Sequence, residues 1–165
     1  MKTLLDDKRQ SFLGGKRMKY IAYGSNMIEH QMKNRCPDAL FYGTGYLEYA
    51  QLEFYLHATV KRTEKQNDRV PVVVWEISER DEKSLDRYEG YPNYYIKERW
   101  QVQMSDGSQV EGMVYVMNLF RQSPARASYY EGIKEAYLRL GFHTQISTIL
   151  EPALQRSLQR GKEQS

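Results

Sequence analysis

The 165-residue chain has a single cysteine, Cys36, so it has no internal disulfide framework. One thiol is compatible with a reducing compartment, and a cytoplasmic location is expected. Long apolar runs are also missing. No stretch approaches the ~20 residues of a membrane span, so no membrane partner is expected. Residues 1–17 are basic and polar and have no apolar central region, so they do not read as a signal peptide. They are expected to be a mobile leader ahead of a domain over 18–160, with a polar tail at 161–165. Met18 is a possible physiological start. An excess of one sign of charge is lacking too: 24 basic and 21 acidic residues are intermixed, for a net charge of +3. That balance gives no reason to expect nucleic acid as a partner. The clusters Arg62/Lys65/Arg69 and Arg156/Arg160/Lys162 read as solvated loop and tail. Histidines 30, 57 and 143 are scattered without ligand spacing, so no metal is expected.

What is present is aromatic and periodic. Fourteen tyrosines stand among 165 residues. Tyrosine packs well in sheets and keeps a hydroxyl for a partner, so most should be strand packing and several should line a polar pocket. A strand over 18–22 runs into a small-residue turn at 23–26, and 27–35 can form a short helix closed by Cys36-Pro37. The segment 39–60 alternates like strand, broken at Gly43 and Gly45. The apolar-free segment 61–69 reads as an exposed loop. The nearly continuous apolar run 70–77 predicts a buried strand, with Pro71 pointing to a later start.

Helical signals follow. Ser78 with Asp81 predicts a capping box, Leu85 and Tyr88 share a face, and Gly90 stops the helix. The stretches 94–104 and 110–117 flank Asp106-Gly107-Ser108 as a hairpin. Ser128 with Glu131 predicts a second capping box and a helix ending at Gly141. A further helical region over 146–158 is interrupted or restarted at Pro152. The order favours a single mixed α+β domain with a curved, largely antiparallel sheet.

Two pieces of this pattern carry chemistry. Gly24 in Tyr23-Gly24-Ser25-Asn26 permits positive φ and close backbone approach. Consecutive N–H groups at such a strand-to-helix turn form a cradle for a carboxylate or an oxyanion. Glu89 sits at the end of the 79–88 helix, where the negative end of the macrodipole and partial burial both favour its protonated form. A glutamate raised toward neutrality serves as general base and then general acid. Ser25 has no histidine and acid in a nucleophile-elbow arrangement. Cys36 has no evident base and reads as a small buried residue beside Pro37.

Several stretches resemble the γ-glutamylcyclotransferase-like (AIG2-like) family. Tyr20-Ile21-Ala22-Tyr23-Gly24-Ser25-Asn26-Met27 is similar to its first signature. Val73-Val74-Trp75, then Leu85-Asp86, Glu89-Gly90 and Tyr95, resembles its second block. Ser123-Pro124, Tyr129, Ile133, Ala136 and Leu140-Gly141 resemble its C-terminal helix. The resemblance spans roughly 19–158 in matching order.

The resemblance implies a small, mixed, barrel-like sheet with outer helices and a pocket at one end. It assigns binding of a small γ-glutamyl substrate to Tyr23, Gly24, Ser25, Asn26, Tyr95 and Tyr129, and acid–base catalysis to Glu89, with no cofactor. The implied reaction converts a γ-glutamyl amino acid or γ-glutamylamine to 5-oxoproline and free amine. Segments 61–69, 91–95 and 119–128 are expected to read the leaving amine. A non-catalytic binding or interaction protein on the same scaffold is the alternative reading. The sequence gives no oligomeric state, and a monomer is compatible with it.

Overall fold

The computed structural model describes residues 16–163. The leader reading therefore lies outside the described residues over 1–15, and Arg17 already binds the domain through the carbonyls of Asp38 (2.8 Å) and Glu76 (3.3 Å). Strand β1 is Met18–Ala22, and a 3-10 turn Ser25–Met27 leads into helix α1, Glu29–Arg35. Strands β2 (Leu40–Glu48), β3 (Ala50–Tyr55), β4 (His57–Arg62) and β5 (Arg69–Ile77) follow, then helix α2 (Glu79–Glu89). Strands β6 (Tyr95–Met104) and β7 (Gln109–Met117) form a hairpin, and helix α3 spans Ala127–Arg139. A helical turn His143–Gln145 and a π-turn Ile146–Leu150 lead into helix α4, Glu151–Glu163.

Five strands close a barrel in the order β1-β5-β2-β6-β7, and β3-β4 form a separate two-stranded sheet. Every recorded pairing is antiparallel except Tyr20↔Met113, where β7 meets β1 and closes the barrel. The architecture is thus the mixed, largely antiparallel α+β barrel with outer helices that was expected. Strand β5 carries the core. It pairs on both edges, and Val70, Val72, Val73, Val74 and Ile77 are fully buried, as its continuous apolar run requires.

Several local expectations are corrected. The segment 39–60 is three strands, and its breaks fall at Tyr49 (φ 51°) and Leu56 (φ 67°) rather than at the glycines. Gly45 lies inside β2, where a Cβ would meet the Gln103 carbonyl oxygen at 2.5 Å, so close strand approach explains it. β5 begins at Arg69 and includes Pro71. Pro71 pairs only with Tyr46 of β2, because the β1 ladder ends at Val73, so its missing N–H falls on a free edge.

Helix α3 starts at Ala127 with Arg126 at the cap and no side-chain cap bond, so Ser128 lies inside the first turn. Tyr88 does not share the buried face of Leu85: it is 47% exposed, and an Arg35 guanidinium lies 3.5 Å from its ring centroid. Nor are the basic clusters free. Arg62 stacks on Trp100 and Arg69 on Tyr46. Arg156 and Arg160 grip the buried Glu53 at 3.2 and 3.1 Å and donate to the carbonyls of Leu52 and Phe54. They clamp α4 onto β3.

Candidate active site

One end of the barrel opens on a cavity of about 160 Å³. Tyr23, Gly24, Ser25, Asn26, Glu89, Tyr95 and Tyr129 all line it, so the structure brings every sequence-predicted site residue to one place.

The loop is built first. β1 ends at Ala22, and the 3-10 turn commits the N–H groups of Met27 and Ile28 to the carbonyls of Gly24 and Ser25. The N–H groups of Ser25 and Asn26 precede this ladder, as at any helix start. Gly24 has φ −119°, so the expectation of positive φ is overturned. Close approach explains the glycine instead: a Cβ there would lie 3.3 Å from the Tyr129 hydroxyl, which faces the cavity. The Trp75 indole donates to the Asn26 carbonyl at 3.0 Å and pins the loop to β5.

Glu89 arrives on α2, whose N-terminus is the expected capping box between Ser78 and Asp81 and whose C-cap is Gly90 at φ 65°. Asp86, one turn earlier, accepts from the Tyr115 hydroxyl (2.6 Å) and pairs with Lys97 (2.8 Å), fixing the helix to β7 and β6. Glu89 itself is half-buried and lines the cavity together with Tyr20, Tyr88, Tyr94, Tyr95, Tyr115 and Tyr129. Burial pushes the Glu89 carboxyl up to about 7, and the Arg35 guanidinium opposes that rise. The Asn26 amide reaches Glu89 Oε1 at 3.4 Å and the Tyr20 hydroxyl at 2.8 Å.

The hydroxyls divide by where their protons go. Tyr23 donates to the Tyr115 carbonyl at 2.6 Å, and Tyr95 donates to the Ala58 carbonyl at 2.7 Å, so both offer the cavity only acceptor lone pairs. Tyr129 accepts from the Ala58 N–H at 3.1 Å and Tyr20 accepts from Asn26, so each keeps a proton to donate. Ala58, on β4, is the backbone hub of this wall. Opposite polarity within one cavity suits a ligand that carries both an ammonium and an oxyanion or carboxylate.

Four groups at the site escaped the sequence reading: Tyr20, Arg35, His57 and Tyr115. His57 Nδ1 lies 3.0 Å from the Tyr94 hydroxyl, and its ring packs edge-on to Tyr129. Burial first, and then Arg121 and Arg126, lower the His57 pKa and hold the imidazole neutral. Arg121 lies over the ring of Tyr94, a lining residue, at 5.4 Å, but no residue of segment 119–128 is itself part of the lining. Segment 61–69 does not contribute to the lining. Half of the fourteen tyrosines line the cavity, a larger share than expected. Cys36 is buried and its thiol is pushed up to about 12, which leaves it no thiolate at neutral pH.

Known proteins resemble this chain in sequence and in fold. The family described as gamma-glutamyl cyclotransferase, AIG2-like, matches residues 20–134. A gamma-glutamylcyclotransferase from Bos taurus is 27% identical over 150 residues, covering 82% of this chain and 80% of its own. The Homo sapiens protein of the same name is 26% identical over 145 residues, covering 79% and 77%. A solved structure of a gamma-glutamyl cyclotransferase shares the fold, with a TM-score of 0.73 at 23% identity over 82% of this chain and 87% of that one.

Proposed function

The chain belongs to the gamma-glutamyl cyclotransferase, AIG2-like family, and we propose that it converts a γ-glutamyl amide to 5-oxoproline and a free amine, with Glu89 as the acid–base group. The observation that carries this reading is a single glutamate, raised to about 7 by burial, facing a polar loop across one cavity.

The chemistry needs no side-chain nucleophile. The substrate is a glutamyl unit joined through its γ-carbonyl to an amine, and its own α-amine attacks. Glu89, as carboxylate, takes a proton from the α-ammonium. The freed amine adds to the γ-carbonyl and closes a five-membered ring. Glu89 then gives the proton to the amide nitrogen, the C–N bond breaks, and the amine leaves. The ring nitrogen sheds its second proton to the Glu89 carboxylate, which passes it to the departing amine. Two protons thus move from the α-nitrogen to the leaving nitrogen, Glu89 ends as it began, and no water is consumed. A group that is both base and acid in one cycle works best with a pKa near the working pH, which burial supplies here.

The remaining residues fold the substrate for ring closure. Intramolecular orientation of this kind corresponds to effective molarities of about 10⁵ M or more. The Ser25 and Asn26 N–H groups and the Tyr20 and Tyr129 hydroxyls are donors for the α-carboxylate and the developing oxyanion. Tyr23 and Tyr95 present acceptors, which suit the ammonium. The leaving amine points toward Tyr94 and His57, under Arg121. A cationic rim there favours γ-glutamyl amino acids, whose leaving half carries a carboxylate, over γ-glutamylamines. Assaying 5-oxoproline release from both substrate types tests the reading: release is expected, with amino acids ahead. Absence of release from either type, with folded protein still binding them, would point to a binding protein instead.

A further inference from the structure

Arg35 lies at the end of α1 and does not line the cavity, yet it touches three parts of it. Its Nη1 donates to Asn26 Oδ1 and, at 3.4 Å, to Ser25 Oγ. Its guanidinium lies 3.5 Å from the ring centroid of Tyr88, the residue before Glu89. Its carbonyl is held from α2 by the Ser84 hydroxyl at 2.6 Å. The loop that carries Asn26 and the helix that carries Glu89 are therefore joined through this one side chain.

We propose that Arg35 is a positioning residue that fixes which way the Asn26 amide faces Glu89 and holds a positive charge beside that carboxyl group. The proposal rests on Glu89 being the acid–base group. The first half follows from donor arithmetic. A guanidinium has five donors and no acceptor, so the Asn26 oxygen must face Arg35. The amide nitrogen is then turned to the Tyr20 hydroxyl and Glu89 Oε1, at 2.8 and 3.4 Å. A flipped amide would set its oxygen against the carboxylate and its NH₂ against a group that cannot accept.

The second half follows from the company Glu89 keeps. Around it stand Tyr20 from β1, Tyr23 from the loop, Tyr94 just ahead of β6, Tyr95 at the start of β6, Tyr115 from β7 and Tyr129 from α3, all neutral phenols held above their ordinary range. Among the described residues, Arg35 is the charged group that acts on Glu89, and it acts against burial. A donor and a cation both favour the carboxylate, so together they keep a buried glutamate able to ionise at neutral pH.

The test is a ¹³C NMR titration of the Glu89 carboxyl in the substrate-free protein, run beside the pH profile of kcat/KM for 5-oxoproline release. In Arg35→Met the Glu89 midpoint and the acid limb both move up by about one pH unit. Arg35→Lys, which keeps the charge and a donor-only head, restores most of the shift. An unmoved NMR midpoint in a folded Arg35→Met protein overturns the proposal. If that variant does not fold, Tyr88→Leu, which removes the stacking platform and keeps the cation, decides: an upward shift supports the proposal and an unchanged midpoint overturns it. A moved NMR midpoint with an unmoved rate limb upholds the coupling and contradicts the acid–base assignment of Glu89 instead.

Discussion

At the scale of single residues, Glu89 links pH to both activity and stability. Its folded pKa of about 7 lies above the ordinary glutamate value, so the native state holds a proton that the unfolded chain releases. The stabilisation from that proton is fully present below the unfolded pKa and is lost as pH rises through 7. Glu89→Gln cannot ionise and escapes this loss. It should match wild type near pH 4 and exceed it above pH 8 by on the order of 2–3 kcal/mol, as read by urea unfolding at the two pH values. A variant that is less stable at pH 8 would show that the carboxylate is well solvated in the native state. Arg121 makes a separate prediction at this scale. Arg121→Ala should raise KM several-fold for γ-glutamyl amino acids and leave KM for a γ-glutamylamine unchanged. Equal effects on both would remove it from recognition of the leaving half.

Among the elements, α4 matters most for its hold on the sheet behind the site. Glu53 is buried and meets Arg156 and Arg160 of α4 and Lys61 of β4. The Arg156→Met/Arg160→Met double variant leaves a buried carboxylate with one exposed lysine. It should lose roughly 3 kcal/mol, the usual cost of breaking a buried pair on one side, visible as a lowered Tm. An unchanged Tm would mean that Glu53 is readily hydrated in the native state.

Legibility from sequence also divides by element. The β1 turn and the α2 cap-to-stop pattern are written in adjacent residues, so the loop, Ser78, Asp81, Glu89 and Gly90 were all readable. The hairpin β3-β4 was not, because its ends turn at Tyr49 and Leu56, residues that do not announce positive φ. With that hairpin unplaced, His57 and the Ala58 hub had no route to the site. Tyr20 and Tyr115 met there only through barrel closure, and their type is too common in this chain to mark them. Arg35 carries no local sequence signal, since its partners Asn26 and Tyr88 stand on two other elements.

For the molecule as a whole, closure of the barrel is what assembles the chemistry. β1 delivers the loop, α2 delivers Glu89, β4 delivers the Ala58 wall, and β6, β7 and α3 supply the surrounding tyrosines. Among the described residues no helix is long and apolar enough to cross a membrane, and no group of three or more His, Cys, Asp or Glu side chains is placed to hold a metal ion. The proposed reaction asks of this scaffold one proton carrier and a shaped, polar cavity. The most direct measurement is 5-oxoproline release from a γ-glutamyl amino acid by wild type and by Glu89→Gln, with ligand binding followed in both. The account predicts release by wild type and a loss of about 10²–10⁴-fold in kcat for the variant, with the fold and ligand binding intact. Turnover by Glu89→Gln at the wild-type rate would contradict it.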